Sequence, residues 1–216
     1  MNVIVLGAPG TGKGTYSHRV SKHFNIPHIS TGDLFRDHQK KETELGKKVQ
    51  EFMAKGQLVP DEITIEMVKE RLAENDCENG FILDGFPRTV AQAEALDKIT
   101  NIDVAVYFSA EHHVIIDRIT GRRICRDCGY IHHVKNIPMK KEGKCNECGG
   151  EVYQREDETP EVVKDRLFVY DTKTRPLINH YENIGILKEI DANLDINHPN
   201  FKVVDNFIKV LEELDK

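Results

Sequence analysis

Hydrophobic residues follow two different spacings along this chain. Five short segments consist mostly of consecutive apolar residues, which is typical of strands buried on both faces of a sheet. These segments are Val3–Gly7, His28–Ser30, Phe81–Asp84, Val104–Phe108 and Ile186–Ile190. Between them, apolar residues recur every three or four positions, as on one face of a helix. The alternation predicts an α/β fold with a five-stranded parallel sheet that is covered by helices on both faces.

Several predicted helices have a polar residue at their start that can act as a cap. Thr31–Asp33, Asp61 and Ser109 stand where helices should begin. Their side chains can accept hydrogen bonds from the free N–H groups of a first helical turn. Thr159 is placed in the same way before Pro160, and proline is favoured at the first helical position. We therefore expect helices to begin at these four places.

Two segments depart from the alternation of strands and helices. Residues 30–59 carry additional helices, and residues 121–158 are rich in Gly, Lys, His and Cys without a long apolar period. We expect residues 1–29, 60–120 and 159–216 to form one core domain. The other two segments are predicted to be inserts in that domain.

The composition describes an ordinary globular protein. The 216 residues are 39% hydrophobic and carry a formal net charge of −6. The longest apolar runs fall well short of the roughly 20 residues that a membrane helix needs, and the N-terminus lacks the basic region of a signal peptide. We therefore expect a cytoplasmic protein with no membrane partner. The acidic balance argues against a general nucleic-acid binder, which usually has a basic surface.

A glycine-rich segment follows the first predicted strand. Residues 7–14 read GAPGTGKG and precede a predicted helix. They fit the phosphate-loop pattern G-x-x-x-x-G-K, except that Gly14 separates Lys13 from the hydroxyl residue Thr15. Glycines let backbone N–H groups turn toward phosphate oxygens, and the helix N-terminus adds a partial positive charge. We expect Lys13 to reach the β- and γ-phosphates of a nucleotide.

Asp84 ends the third predicted strand, within FILDGFPR. An acidic residue at this place in a phosphate-loop protein can hold Mg²⁺ or its water ligands. Taken alone, the carboxylate could equally be a turn cap. Together with the glycine-rich loop, it favours a magnesium site.

Four of the five cysteines form two C-x-x-C pairs that are 16 residues apart. This spacing fits a four-thiolate zinc site, made by Cys125, Cys128, Cys145 and Cys148. In a reducing compartment, a metal is favoured over disulfides. Four thiolates leave no open coordination position, so the predicted Zn²⁺ is structural, although Fe²⁺ or Co²⁺ also fits such a cage. His132, His133 and Lys135 lie between the pairs, and we expect them at the surface or facing a substrate.

Five sequence stretches resemble the adenylate kinases of the long bacterial type, in the same order and spacing. They are GAPGTGKGT, STGDLFR, GQLVPDE, GFILDGFPRT and DRITGRR. The resemblance covers nearly the whole chain, and DGFPRT followed by Gln92 is specific to nucleoside monophosphate kinases. It implies the reaction ATP + AMP ⇌ 2 ADP on a sheet of the phosphate-loop NTPase type. It also implies a helical AMP-binding insert at 30–59, a zinc lid at 121–158 that closes over ATP, Mg²⁺ bound with ATP, and a monomer.

The resemblance implies a role for each residue of the site. The residues expected to bind ATP are Gly10, Thr11, Gly12, Lys13, Gly14, Thr15, Arg118 and Arg122. The residues expected to bind AMP are Thr31, Arg36, Gln57, Leu58, Val59, Gly85, Phe86, Pro87, Arg88, Gln92, Arg155 and Arg166. Catalysis is expected to depend on Lys13, Asp84, Arg88, Arg122, Arg155 and Arg166. Among the AMP ligands, Gln92 should read the adenine edge, while Arg36 and Arg88 should grip the phosphate.

Arginines suit a reaction that brings two polyanions together. The planar guanidinium binds phosphate through two hydrogen bonds and stays charged. A single arginine is more often an exposed surface residue, but several of them flank the glycine-rich loop and the cysteine segment. Such a set indicates a site that neutralises phosphate groups and positions the attacking oxygen.

Two alternatives to an ATP:AMP phosphotransferase stay open at this stage. The first is a kinase for UMP or CMP; Thr31 argues against it, since relatives with those acceptors tend to have a smaller residue there. The second is a nucleic-acid-binding NTPase with a zinc ribbon. The acidic balance and the lack of aromatic residues among the basic ones make it the weaker alternative.

Overall fold

Helices and strands alternate along most of the chain in this computed structural model, which describes residues 1–214. The elements in chain order are β1 (Asn2–Leu6), α1 (Lys13–Phe24), β2 (His28–Ser30), α2 (Thr31–Lys40), α3 (Glu44–Ala54), α4 (Asp61–Leu72), β3 (Phe81–Asp84), α5 (Val90–Ile99), β4 (Val104–Ser109), α6 (His112–Gly121), β5 (Arg122–Cys125), β6 (Ile131–His133), β7 (Val152–Tyr153), α7 (Pro160–Val169), α8 (Pro176–Asn183), β8 (Leu187–Asp191) and α9 (Val203–Glu212). A π-helical turn at Tyr170–Thr174 joins α7 to α8.

The central sheet confirms the predicted five parallel strands. Its strand order is β2-β3-β1-β4-β8, so that the N-terminal strand lies in the middle. In the register, Val5 is opposite Asp84 of β3, and Ile4 is opposite Ala105 of β4. Each predicted strand lies within one residue of its observed position. Apolar side chains on both faces explain why consecutive hydrophobic residues identified these strands.

Alternate side chains of β1 enter two separate hydrophobic cores. Val3 and Val5 pack on the face that α1 and α9 cover, where Phe207 is fully buried. Ile4 and Leu6 pack on the opposite face, beneath α4, α5 and α8. The sheet is therefore rigid from both sides, and its C-terminal strand ends form a fixed platform for the loops that follow them.

Three of the predicted helix caps are wrong in detail. Helix α2 follows β2 directly, so Ser30 is the cap and its Oγ accepts a hydrogen bond from the Asp33 N–H at 3.3 Å. Helix α6 begins at His112, because Ser109 still belongs to β4 and pairs with β8. Asp61 is the first residue of α4, but its carboxylate accepts hydrogen bonds from α5 residues and their cap. The Thr159 cap is confirmed.

The cysteine segment contains a second sheet that the sequence pattern did not reveal. Strands β5, β6 and β7 are antiparallel and have the order β6-β5-β7. They contain only two to four residues each, too few for a recognisable period. We call residues 121–158, which include this sheet, the lid segment.

Two histidines of the lid segment are not where the sequence suggested. His132 and His133 are 0% and 7% exposed, so the expected surface or substrate-side placement is wrong. The His133 ring lies against Asp117 of α6, with Nε2 3.1 Å from its carbonyl oxygen. Nδ1 accepts the N–H groups of Lys135 and Asn136. His133 therefore packs the lid segment against α6, whereas Lys135 is exposed as expected.

Across the part of the chain that the structure describes, each helix is too short or too polar to span a bilayer.

Candidate active site

A cavity of about 840 Å³ lies at the C-terminal ends of β1 and β3. Its wall combines the glycine-rich loop, parts of 30–59, the turn after β3, the lid segment and α7. Most of the residues predicted for the site line it: Gly10, Gly12, Lys13, Gly14, Thr15, Thr31, Arg36, Gln57, Leu58, Val59, Asp84, Gly85, Pro87, Arg88, Gln92, Arg122, Arg155 and Arg166. A cleft outside the carboxyl ends of parallel strands is where ligands bind in such sheets.

Three predicted residues lie outside this wall, as far as residues 1–214 define it. Phe86 is fully buried in the core beneath α5. Thr11 is 1% exposed, and its hydroxyl donates to the Ala8 carbonyl at 3.0 Å. Arg118 donates to the carbonyl oxygens of Ala192 at 2.7 Å and Leu194 at 2.8 Å. These residues pack or hydrogen-bond against the loops that surround the cavity, on the side away from it.

The glycine-rich loop wraps around the N-terminus of α1. Gly12 has φ +97°, and a Cβ there would lie 2.5 Å from the Tyr16 ring, so only glycine fits. Helix α1 begins at Lys13 and has no acidic residue in its first turn. Its free N–H groups therefore face the cavity as an anion site.

Gly14, which departs from the usual phosphate-loop pattern, lies beside the acidic residue of the site. A Cβ at this position would be 3.3 Å from Asp84 Oδ2. That contact is tighter than most, so a side chain at position 14 would crowd the carboxylate. The close approach of Asp84 explains the glycine between Lys13 and Thr15.

The Lys13 ammonium group points back into the loop. Nζ donates to the carbonyl oxygens of Gly7 at 2.7 Å and Ala8 at 2.8 Å. Burial lowers the pKa of Lys13 to about 8; Asp84 opposes this effect, and nearby arginines add to it. The negative charge of Asp84 does not offset the burial of Lys13, and a phosphate group would supply more.

Asp84 is 9% exposed and lies at the end of β3. Burial raises the pKa of its carboxyl group, but His28 and Lys13 outweigh burial, so that the pKa lies below its ordinary value. The His28 Nε2 atom is 3.5 Å from Oδ2. An ionised carboxylate next to a phosphate site can hold Mg²⁺ through its water ligands.

Several arginines converge on the cavity from different elements. Arg88 follows β3, Arg155 and Arg122 belong to the lid segment, and Arg166 lies on α7. Burial lowers the pKa of Arg88 to about 10, and repulsion from Arg166 contributes. Burial, then Arg36 and Arg122, lowers the pKa of Arg155 to about 10. Like charges held this close favour the binding of an anion among them.

Carboxylates that the sequence analysis missed hold these arginines in place. Glu158 is fully buried, and its Oε1 accepts from Arg122 Nε at 2.9 Å. Asp157 accepts from Arg166 Nη1 at 3.0 Å. Asp33 pairs with Arg36 and lies 3.8 Å from Arg155. Each acid lies within a few residues of an arginine along the chain. Acidic residues are so common, however, that this spacing alone does not predict an ion pair.

The side of the cavity next to 30–59 contains two buried polar residues. Thr31 and Gln92 are each 1% exposed. The Thr31 hydroxyl donates to the Gly85 carbonyl at 2.9 Å, and Arg88 Nε donates to the same oxygen at 2.7 Å. The side chains of Thr31 and Arg88 are thereby fixed at the turn after β3.

The four cysteines predicted to bind metal come together in the lid segment. Their sulfur atoms all lie within 4.8 Å of one another. Cys125 and Cys148 are 3.4 Å apart and Cys128 and Cys145 are 3.6 Å apart, far beyond the ~2.0 Å of a disulfide. Four sulfur atoms in a tetrahedron around zinc are about 3.8 Å apart. The cluster therefore fits a four-coordinate metal ion.

A phosphate loop, an ionised carboxylate at the end of the neighbouring strand and converging arginines define a phosphoryl-transfer enzyme of the phosphate-loop class. The family model for adenylate kinase matches residues 5–186. The chain belongs to the adenylate kinase family.

Individual relatives agree with the family model. The chain is 56% identical to the adenylate kinase of Caldicellulosiruptor bescii over 192 residues, which cover 87% of this chain and 89% of that protein. It is 49% identical to the adenylate kinase of Clostridium tetani over 216 residues, 98% of each chain. It is 52% identical to that of Archaeoglobus fulgidus over 201 residues, 91% of this chain and 93% of the relative.

Membership in this family makes the chain a kinase, and the reaction of the family is ATP + AMP ⇌ 2 ADP. The two alternatives, a UMP or CMP kinase and a nucleic-acid-binding NTPase, are not favoured. The family's reaction also implies Mg²⁺ with ATP. The predicted fold class and enzyme class are thus confirmed, while the roles of single residues stay predictions.

Proposed function

We propose that the cavity holds ATP and AMP together and transfers the terminal phosphoryl group of ATP to AMP, giving two ADP. The observation that carries this proposal is the convergence of four half-buried cations, Lys13, Arg88, Arg155 and Arg166, on the wall of one cavity. Burial lowers the pKa of each of these groups, and the carboxylates beside them offset this only in part, so additional negative charge would stabilise the set. The phosphates of two nucleotides would supply that charge.

The ATP phosphates bind in the glycine-rich loop. Backbone N–H groups of 10–15 surround the phosphate oxygens, and Lys13 turns from the Gly7 and Ala8 carbonyls toward the β- and γ-phosphates. Asp84 would hold the Mg²⁺ that accompanies ATP through its water ligands, and the ion would supply partial neutralisation of the phosphate charge. Arg118 supports the adenine end by fixing the loop at 192–194.

AMP binds beside 30–59. Its phosphate pairs with Arg36 and Arg88, which line this part of the cavity. Its base lies near Thr31, Gln57–Val59 and Gln92. The register of the sheet supports an AMP phosphate next to the phosphate loop, because Val5 before this loop and Asp84 before the turn after β3 are neighbours.

Catalysis rests on positioning and on charge neutralisation. An oxygen of the AMP phosphate attacks the γ-phosphorus of ATP, and the bond to the β–γ bridging oxygen breaks. Arg122, Arg155 and Arg166 surround the group in transfer and stabilise its charge. The lid segment keeps water out, since water would otherwise accept the phosphoryl group.

We also propose the division of the chain that the sequence suggested. Residues 1–29, 60–120 and 159–216 form the core domain, 30–59 the AMP-binding insert and 121–158 the lid. Support comes from the cavity wall, to which all three regions contribute. Because one chain supplies every residue of the proposed site, the protein can act as a monomer. We also propose a cytoplasmic location with neither nucleic acid nor a membrane as partner, in keeping with the net charge of −6.

The metal in the lid is Zn²⁺, held by Cys125, Cys128, Cys145 and Cys148. Its role is structural, because four thiolates fill a tetrahedral shell. The spacing of the sulfur atoms supports this assignment. Zinc and cysteine content of the purified protein, measured together, should give one metal ion per chain.

A coupled assay of ADP formation tests the function directly. ATP is supplied with AMP, UMP, CMP or GMP, and AMP should be the preferred acceptor by a wide margin. The Lys13→Ala variant is the control for a contaminating kinase. Equal use of UMP or CMP would contradict the proposed acceptor.

A further inference from the structure

The amide of Gln92 has a fixed orientation in the first turn of α5. The residue is 1% exposed, so its amide needs partners inside the protein. Oε1 accepts the backbone N–H of Arg88 at 2.7 Å. Nε2 donates to Oδ1 of Asp61, the first residue of α4, also at 2.7 Å.

Both partners forbid the reversed orientation of this amide. A side-chain amide can often be turned over, because its oxygen and nitrogen are similar in size. Here the Arg88 N–H can only donate, and a carboxylate at Asp61 can only accept. Reversal would set Nε2 against an N–H group and Oε1 against a carboxylate oxygen. The orientation therefore follows from the chemistry of the two partners.

Asp61 is itself held by a second residue of the same network. The Thr89 hydroxyl donates to Asp61 Oδ2 at 2.9 Å and accepts the Gln92 backbone N–H at 3.2 Å, as the cap of α5. Each hydrogen bond thus has a defined donor. The carboxylate of Asp61 joins the starts of α4 and α5 and cannot turn away from Gln92 without losing two bonds.

The remaining hydrogen-bonding capacity of Gln92 has a defined pattern. An amide has two acceptor lone pairs and two donor hydrogens. The protein uses one of each, so one acceptor and one donor are left, and Gln92 lines the cavity. Adenine offers a donor at its 6-amino group beside a ring-nitrogen acceptor, which complements this pair. A 6-oxopurine offers an acceptor at position 6 and would require the reversed amide.

We infer that Asp61, together with the Arg88 N–H, determines the specificity for the acceptor base, by locking Gln92 in the orientation that accepts 6-aminopurines and rejects 6-oxopurines. The inference rests on the proposed function, in which Gln92 contacts the base of AMP. Asp61 is a positioning residue that acts through Gln92. Its side chain was expected to cap α4, and its position beside α5 gives it this different role.

Asp61→Asn tests the inference with almost no change of shape. Asparagine has one acceptor oxygen and a donor NH₂ group, so position 61 no longer forbids the reversed amide, and only the Arg88 N–H still opposes it. The acceptors are AMP and IMP, because IMP differs from AMP only at position 6 and the adjacent N1 proton. The ratio of kcat/KM for AMP to kcat/KM for IMP should fall about tenfold or more. The reason is that the reversed Gln92 amide, which IMP requires, no longer sets its oxygen against a carboxylate oxygen at position 61. The KM for ATP should stay unchanged.

Glu62→Gln is the matched control. Glu62 is exposed in the same helical turn as Asp61, so this variant removes the same charge without touching Gln92. It should leave the AMP to IMP ratio at the wild-type value. Circular dichroism melts of both variants define a temperature at which each is folded for the kinetic comparison.

The inference fails if folded Asp61→Asn keeps the wild-type ratio. Should Asp61→Asn not fold, Asp61→Ser and calorimetric titration with AMP and IMP decide the same question. Gln92→Ala distinguishes the two levels of the proposal. Unchanged AMP use in Gln92→Ala would overturn the proposed AMP site, whereas impaired AMP use in Gln92→Ala together with an unchanged ratio in Asp61→Asn would overturn only the role of Asp61.

Discussion

The central sheet and the lid sheet both place charged groups at one cavity, but different forces hold them together. Ile4, Leu83 and Val106 of the central sheet are all fully buried between layers of helices. Within residues 121–158, the buried side chains include those of two cysteines and two histidines, and Ile124 is the one buried aliphatic residue. A core of apolar side chains needs no further support, whereas a small polar sheet obtains its stability from metal coordination and hydrogen bonds.

This difference shows how one chain can combine a rigid platform with a small element that encloses the substrate. The phosphate loop, Asp84 and Arg88 stand on the platform. Arg122 and Arg155 stand on the lid segment, where buried Glu158 lies 2.9 Å from Arg122 Nε and 3.8 Å from Arg155. The platform should therefore bind the nucleotide phosphates, while the lid segment should both stabilise the charge of the group in transfer and exclude water.

The largest expected effect comes from the platform. Lys13→Ala should lower turnover by ~10³-fold or more, because a charge next to the group in transfer is lost. The melting temperature should change little, since Lys13 contributes no apolar contact to either core. Stopped assays of ADP formation and a thermal melt measure the two quantities. Near-normal turnover in the folded variant would contradict the phosphate-loop assignment.

Arg88 tests whether the platform has separate contacts for AMP and for ATP. Arg88→Ala should lower kcat/KM for AMP by roughly 10²-fold, because a buried guanidinium–phosphate pair is among the stronger polar contacts. The KM for ATP should change far less, because the phosphate loop is intact. Arg123→Ala, which removes an arginine outside the cavity wall, is the control. Equal losses of kcat/KM for AMP and for ATP would show that Arg88 does not bind AMP specifically.

Metal removal tests the lid side. Cys125→Ser with Cys128→Ser should abolish metal binding and lower the melting temperature of the lid, while the central sheet stays folded. Activity should fall by roughly tenfold or less below the new melting temperature, because no proposed catalytic group is a metal ligand. Cys77→Ser, outside the cluster, should keep full metal content. Complete loss of activity with nucleotide binding intact would give the metal a chemical role.

The smallest effect is a pH dependence of ATP affinity. The free protein holds the pKa of Lys13 at about 8, and a bound phosphate raises it again. The complex thus binds a proton more tightly than the free protein, so MgATP affinity falls as pH rises through 8. The decrease should be about threefold between pH 7.5 and 8.5. Calorimetry in buffers of different ionisation enthalpy should detect proton uptake at pH 8.5 and almost none at pH 7.

Much of the fold followed from the sequence because the signal is local. Consecutive apolar residues located all five strands of the central sheet, and residue spacing located the phosphate loop and the cysteine cluster. The lid strands escaped because their pairing depends on short backbone segments and not on an apolar pattern. The helix caps at Thr31–Asp33 and Ser109 were misplaced by one to three residues, since a strand end and a helix start compete for the same polar residue.

The proposed site was harder to predict where residues distant in sequence meet. Asp61 and Gln92 are 31 residues apart, and no periodicity of either helix indicates their contact. The buried Glu158 resembled an ordinary charged residue before a helix. The roles assigned to the cavity residues, and the division into core, insert and lid, stay predictions that the experiments above address.

The central position of β1 has a consequence for synthesis of the chain. The ribosome makes this strand first, yet its neighbours β3 and β4 begin only at Phe81 and Val104. At the usual rate of ~5–20 residues per second, β1 waits roughly 4 to 15 seconds for its first neighbour. During that time an apolar strand has both hydrogen-bonding edges free, so nascent chains that contain β1 but not yet β3 should be the species that most needs a chaperone.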